Sequence, residues 1–168
     1  MVASVQPATV VDEAGPLRTA VQISGITGGK ATDPLWTSQV SNENFRQALE
    51  LSLKQHTILG GGDAPLALQA ILVSLDQPVI GFDMTVTSTV TYQITNAAGQ
   101  SVFDETVATP YTANFSDAFA GVERLRLANE GSIKKNIRTF IQKLVAASRS
   151  DPARFGPALT SALRLKLG

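Results

Sequence analysis

Residues 82–95 read FDMTVTSTVTYQIT, and this stretch decides the fold. Polar side chains alternate with mostly apolar ones through all of it, which predicts a β-strand with one face in the core and the other in water. The predicted core face consists of Phe82, Met84, Val86, Ser88, Val90, Tyr92 and Ile94.

The segment after this strand predicts its partner. Residues 96–100 form a short loop in which Gly99 suits a positive φ. Residues 101–109 return with Val102, Phe103 and Val107. We therefore predict a long antiparallel hairpin.

Three further elements precede the hairpin. Residues 17–24 alternate with period two and predict a first strand. Residues 41–57 predict a helix, because Ser41 can cap it and Val40 can pack on Phe45 as a hydrophobic staple. Residues 66–75 are an apolar run between glycines and prolines, which predicts a central strand buried on both faces.

A long helix is predicted from Ser116 to about residue 147. Gly131 falls in its middle, where close packing or a kink would explain a poor helix former. Its apolar stripe comprises Phe119, Val122, Leu125, Ile133, Ile137, Phe140, Ile141 and Leu144.

The element order strand-helix-strand-strand-strand-helix predicts an α+β two-layer sandwich. We expect a roughly four-stranded, mainly antiparallel sheet with two helices on one face. Residues 1–16, rich in small residues, predict a flexible linker. Residues 17–147 then form the single α+β domain, and residues 148–168 a C-terminal tail.

Composition argues against several kinds of active site. The chain has no cysteine and one histidine, so cysteine nucleophiles, thiolate metal sites and multi-histidine metal sites are excluded. Asp104 and Glu105 are adjacent in a strand and point to opposite faces. We expect a protein that is not an enzyme and needs no cofactor; a hydrolase with carboxylates assembled by the fold is one alternative.

The charges are segregated along the chain. Residues 1–110 carry 4 basic and 10 acidic residues, and residues 111–168 carry 10 basic and 4 acidic ones. The second alternative function is therefore binding of nucleic-acid phosphates or another anionic ligand through the basic C-terminal half. Recognition of single strands usually also needs aromatic residues among the basic ones, and these are missing here. We predict no nucleic-acid binding at physiological salt; the candidate anion-facing residues are Arg124, Lys134, Lys135 and Arg138.

A family resemblance adds to these patterns. Residues 83–92, residues 123–130 and residues 133–137, together with Leu35-Trp36 and the helix at 45–53, resemble uncharacterised small envelope lipoproteins of Gram-negative bacteria. Those proteins are similar in outline to transport-auxiliary and lipopolysaccharide-assembly lipoproteins. The resemblance implies a periplasmic module tethered to the membrane only through an N-terminal anchor, with the lipidated cysteine upstream of Met1. It implies no functional residue.

We therefore expect an envelope adaptor that binds a protein or a lipid-like ligand; the sequence leaves the identity of the partner and the oligomeric state open. The C-terminal tail is a candidate contact segment, because alternating leucines and cations could add to a sheet edge. It could equally cover the core of its own domain. The tail residues concerned are Leu159, Leu163, Arg164, Leu165, Lys166 and Leu167.

Overall fold

The structure, a computed structural model, describes residues 1–4, 10–12, 15–29, 40–78 and 81–156. The four strands form one sheet in the order in which they occur along the chain, with the first two parallel and the other neighbouring pairs antiparallel. Both long helices contribute to one hydrophobic core, which confirms the predicted α+β sandwich. The elements are β1 (Val21–Thr27), α1 (Asn42–Gln55), β2 (Leu66–Asp76), β3 (Met84–Asn96), β4 (Ser101–Ala113), a 3₁₀ turn (Phe115–Asp117), α2 (Gly121–Ser150) and α3 (Pro152–Phe155).

The β3–β4 hairpin follows the alternation of the sequence. Every second residue of β3 from Val86 to Ile94 is buried. Gly99 has φ +74° in the connecting loop, as predicted. Phe82 departs from the pattern: it lies before the strand begins and is 83% exposed.

Two strand predictions need correction. The first strand begins at Val21 rather than residue 17, because the chain turns before it and Thr19 adopts a left-handed φ of 49°. Leu17 is nevertheless buried in the core. β2 is an interior strand, but it is buried on one face only: Gln69 and Val73 are exposed on the other, because the described helices lie on a single side of the sheet.

Helix α1 begins as the sequence predicts. The Ser41 hydroxyl accepts a hydrogen bond from the Asn44 N–H at 3.1 Å, which satisfies one free amide of the first turn. Val40 and Phe45 are both buried in the core. The helix ends at Gln55, where the His56 backbone N–H donates to Ser52.

Helix α2 begins five residues later than predicted. Asn114, not Ser116, starts a capping box with Asp117, and that box closes a 3₁₀ turn instead of the helix. Phe119 therefore lies before the helix, and Val122 on its first turn is exposed. At the other end α2 runs to Ser150, and α3 places Phe155 in the core.

The N-terminal residues described by the structure lie against the helices. Ala3 is buried, and its N–H donates to the Ser52 hydroxyl of α1 at 2.9 Å. The Ser4 hydroxyl accepts from the Arg138 guanidinium on α2 at 3.3 Å. This part of the chain thus contacts both long helices.

The centre of the core is an aromatic contact between α2 and the hairpin. The Tyr92 and Phe140 rings are stacked with centroids 3.9 Å apart, and Phe103 meets Phe140 edge-on at 5.7 Å. Burial raises the pKa of the Tyr92 phenol well above its ordinary value, so the hydroxyl stays protonated. It donates to Oδ1, the side-chain amide oxygen of Asn136, at 2.8 Å.

Polar side chains of α2 reach between the two hairpin strands. The Ser132 hydroxyl accepts from the Ser88 N–H at 2.9 Å and lies 2.8 Å from the Thr109 carbonyl oxygen. The Asn136 amide donates to the carbonyls of Ser88 and Val107 at 3.0 and 2.7 Å. All of these groups are buried, so each bond satisfies a polar atom that water cannot reach.

Replacing Asn136 with Ala tests the importance of these bonds. The change leaves two buried carbonyls and the Tyr92 hydroxyl without their partner, so we expect a loss of about 2–4 kcal/mol in the free energy of unfolding. Urea unfolding followed by far-UV circular dichroism measures it. The exposed Lys134→Ala on the same helix is the control, and a loss under about 0.5 kcal/mol for Asn136→Ala would contradict the prediction.

Gly131 confirms the predicted close packing. A Cβ added to this glycine would overlap the Tyr111 ring of β4. We expect Gly131→Ala to destabilise the protein by about 1 kcal/mol. In a Tyr111→Ala background the same change should instead stabilise it by up to about 1 kcal/mol, because alanine is then only the better helix former. A double-mutant cycle in urea checks the reversal of sign.

Candidate functional site

The structure separates the four candidate anion-facing residues. Arg124 is buried, whereas Lys134 and Lys135 are exposed about 15 Å further along α2. Lys135 donates to the Pro110 carbonyl at 3.1 Å, and Arg138 to Ser4. Arg124 therefore lies apart from the other three, which occupy adjacent turns of α2.

Two other sequence-based assignments lie outside the described residues. One is the Leu35-Trp36 pair that contributed to the resemblance. The other is the predicted contact segment of the tail: Leu159, Leu163, Arg164, Leu165, Lys166 and Leu167.

The three titratable side chains that the sequence singled out form contacts within the fold. His56 is buried at the end of α1, with Nδ1 2.6 Å from the Ser52 carbonyl oxygen. Asp104 accepts from Gln93 on the open face of the sheet, while Glu105 pairs with Lys143 of α2 on the other face, as predicted. Among the described residues no group of three His, Asp or Glu side chains is arranged to hold a metal ion.

An unexpected cluster of aromatic rings is exposed where β3 begins and β4 ends. The Phe82 and Phe115 rings meet edge-on with centroids 6.1 Å apart, and Phe115 meets Phe119 at 5.8 Å. Phe82 is 83% exposed and Phe119 86%. We call these three rings, with the neighbouring exposed Val122 on the first turn of α2, the aromatic surface.

The distribution of phenylalanine marks this surface as a distinct feature. The chain has seven phenylalanines. Four of them are buried in the core, and the remaining three all belong to the aromatic surface. Single exposed apolar residues are ordinary, but a contiguous exposed group is typical of an interaction site.

Arg124 holds the aromatic surface in place. Its Nη1 donates to the carbonyls of Ala118 and Phe119 at 2.6 and 2.8 Å. The guanidinium carbon lies 4.9 Å from the centroid of the Phe115 ring, a cation–π contact. The loop between the 3₁₀ turn and α2 is therefore fixed from beneath by one buried cation.

Carboxylates border the aromatic surface. The Asp83 side chain accepts from the Phe115 N–H at 3.0 Å, and Asp117 accepts from the Asn114 N–H at 2.8 Å. Within the described part of the chain, no ion pair involves either aspartate. Glu123 pairs with Arg126, and the hydrogen bond from that guanidinium lowers the pKa of the Glu123 carboxyl.

Sequence periodicity missed this surface for a physical reason. Phe82 continues the alternation of β3, and Phe119 and Val122 continue the apolar stripe of α2, so periodicity places all three in the core. β3 begins after Phe82 and α2 begins after Phe119, so these two residues fall in loops, and Val122 lies on the uncovered first turn of α2. The capping box of Asn114 and Asp117 gives no signal of these boundaries, because read from the sequence it predicts a helix start at Phe115 and keeps Phe119 inside the helix.

Comparisons with known proteins give the fold a wider context. No family model matches the sequence. No curated protein matches it either. Solved structures do match its fold.

A Xanthomonas campestris protein of the DUF330 family superposes with a TM-score of 0.59 at 8% identity, covering 90% of this chain and 95% of that one. A candidate lipoprotein of Caulobacter crescentus has a TM-score of 0.51 at 14% identity, over 77% and 91%. A hypothetical protein of Chlamydia trachomatis has a TM-score of 0.51 at 8% identity, over 76% and 97%. At these identities the likeness shows a shared fold.

Within residues 1–4, 10–12, 15–29, 40–78 and 81–156, no helix is both long and apolar enough to cross a bilayer.

Arg124→Ala tests how the surface is built. We expect a loss of about 2–3 kcal/mol in the free energy of unfolding, because two part-buried loop carbonyls lose a charged donor and the buried arginine side chain loses its packing. Amide hydrogen exchange should also quicken at residues 114–120. The control is Arg126→Ala: this guanidinium is exposed and pairs with Glu123 and Glu130 on the surface, so the change should cost under about 1 kcal/mol. Equal effects of the two variants would contradict the assignment.

Proposed function

We propose that this protein is a non-catalytic binding module of the bacterial envelope, held at a membrane by an anchor upstream of Met1. It works by contacting another envelope protein through the aromatic surface, and in this way assists transport or outer-membrane assembly. The observation that carries the proposal is the convergence of Phe82, Phe115 and Phe119 on one exposed, rigidly supported surface.

The envelope location is supported by two separate comparisons. The sequence resembles small Gram-negative envelope lipoproteins, and one matching structure is that of a candidate lipoprotein. Each concerns other proteins, so the location is a proposal for this chain.

A binding role is favoured over catalysis by the placement of the polar groups. Asp104 and Glu105 lie on opposite faces of the sheet, and His56 is buried beside a helix carbonyl. An acid–base pair needs its members within hydrogen-bond reach of one substrate. Asp104, Glu105 and His56 therefore give the hydrolase alternative no support.

The basic residues give the nucleic-acid alternative no support either. Arg124 is buried, Lys135 binds a backbone carbonyl and Arg138 contacts Ser4, which leaves Lys134 as the one candidate with no such contact in the described part of the chain. A phosphate-binding face requires several free cations in register with the backbone of the ligand. Protein contact through the aromatic surface remains the function that the geometry supports best.

Photo-cross-linking in cells tests the proposed function. The gene with its native upstream sequence is expressed in a Gram-negative host, with a photoreactive residue at Phe119 or, as the control, at Val73 on the open sheet face, which is 59% exposed. We expect a membrane-associated, periplasm-facing protein that forms an ultraviolet-dependent protein adduct from position 119 only.

Two results would contradict it. A precursor that fractionates with the cytosol would remove the envelope location. Adducts of equal yield from positions 119 and 73 would show that the aromatic surface is not the contact.

A further inference from the structure

The chemistry of the partner can be inferred from the border of the aromatic surface, if the proposed protein-binding function holds. Asp83 and Asp117 each accept a backbone N–H from the segment that carries Phe115. Their carboxylates are thereby fixed beside the rings, and both residues are exposed. Any molecule that covers the rings must also come close to these two charges.

An anionic bilayer is disfavoured as the occupant. Aromatic side chains that enter a lipid interface are ordinarily accompanied by lysines and arginines, which add attraction to anionic headgroups. Here Arg124 is buried on backbone carbonyls, and Arg126 pairs with Glu123 and Glu130. Lys134, which lines a pocket with Asp117, is exposed and forms no ion pair within the described part of the chain, so it is a single available cation. The aspartates would repel such a membrane.

A second copy of the chain in a two-fold dimer is disfavoured for a related reason. An isologous interface places the same patch against itself, so the carboxylates of one copy would approach those of the other. Like charges brought together across an interface cost affinity. Self-association through this surface would need to remove or neutralise them.

We propose that the aromatic surface binds a segment of a different protein that presents apolar side chains flanked by lysine or arginine. The apolar side chains cover Phe82 and Phe119, and the cations meet Asp83 and Asp117. Because Arg124 already orders the loop, little conformational entropy is lost on binding. Three rings and one valine form a small interface, which is typical of micromolar, salt-sensitive association.

A library of random twelve-residue peptides displayed on phage is the first probe. It is selected against the full 168-residue chain, with Phe82→Ala/Phe119→Ala as the counter-selection protein. Both side chains are more than four-fifths exposed, so the variant should unfold at the same urea concentration as the parent. We expect enrichment of peptides with two or more apolar residues flanked by Lys or Arg.

Titration of one enriched peptide then separates the two contributions. Phe119→Ala should weaken binding at least tenfold. Asp83→Asn/Asp117→Asn should weaken it roughly three- to tenfold and flatten its dependence on salt. Asp104→Asn, which removes a carboxylate from the open sheet face, is the matched control and should leave binding unchanged.

Several outcomes would overturn the inference. These are peptides with acidic flanks, no enrichment over the counter-selection protein, Phe119-dependent binding to phosphatidylcholine vesicles in place of peptides, and a Phe119-dependent dimer in sedimentation. Failure of the proposed function is distinguishable, because a cytosolic precursor would remove the envelope role while leaving this binding chemistry intact.

Discussion

The insertion of Ser132 and Asn136 between β3 and β4 is the constraint on which the rest of the structure depends. These two side chains bond backbone groups of both strands within a buried layer, so α2 cannot slide or turn without leaving polar atoms unsatisfied. A slip of one residue would rotate the helix by about 100°. It would also bring a side chain in place of Gly131 against Tyr111. The hairpin and the helix therefore share one register.

That register also places the aromatic surface. Arg124 lies eight residues before Ser132 on the same helix, so fixing Ser132 fixes where the guanidinium meets Ala118 and Phe119. Asp83 then receives the Phe115 N–H from across the hairpin end. Asp83, Phe115 and Arg124 thus lie close together because α2 is one continuous helix, so its fixed position in the core also fixes its first turn.

The sequence predicts the parts of this fold that repeat with a period. The alternation of β3, the Ser41 cap of α1 and the small residue required at 131 all follow from local geometry or packing, and each is confirmed. Sequence periodicity does not show where a strand or helix begins or ends. Phe82 and Phe119 fit the patterns of neighbouring elements but lie beyond their ends.

Tertiary context explains the other errors. The apolar run of β2 suggested two covered faces, yet the described helices cover one, so Val73 is exposed. The sequence also grouped Arg124 with Lys134, Lys135 and Arg138 as anion-facing residues of α2. Arg124 instead turns inward, and its buried Nε has no partner among the described residues. Burying a cation is costly unless its donors are used. No sequence pattern indicates that the carbonyls of Ala118 and Phe119 accept hydrogen bonds from Arg124.

No described residue covers the open face of the sheet or the aromatic surface, but the side chains of the two differ in chemistry. On the sheet face the side chains satisfy each other: Thr91 bonds Thr106 and Thr85 bonds Thr112, each at 2.8 Å. A ligand there would have to replace bonds that already exist, with little net gain. The rings of Phe82 and Phe119 have no hydrogen bonds to replace. Removing their apolar surface from water contributes roughly 25 cal/mol per Å² to the free energy of association. This apolar gain supports the proposal that a partner binds at the aromatic surface, where the neighbouring aspartates would favour a cationic one.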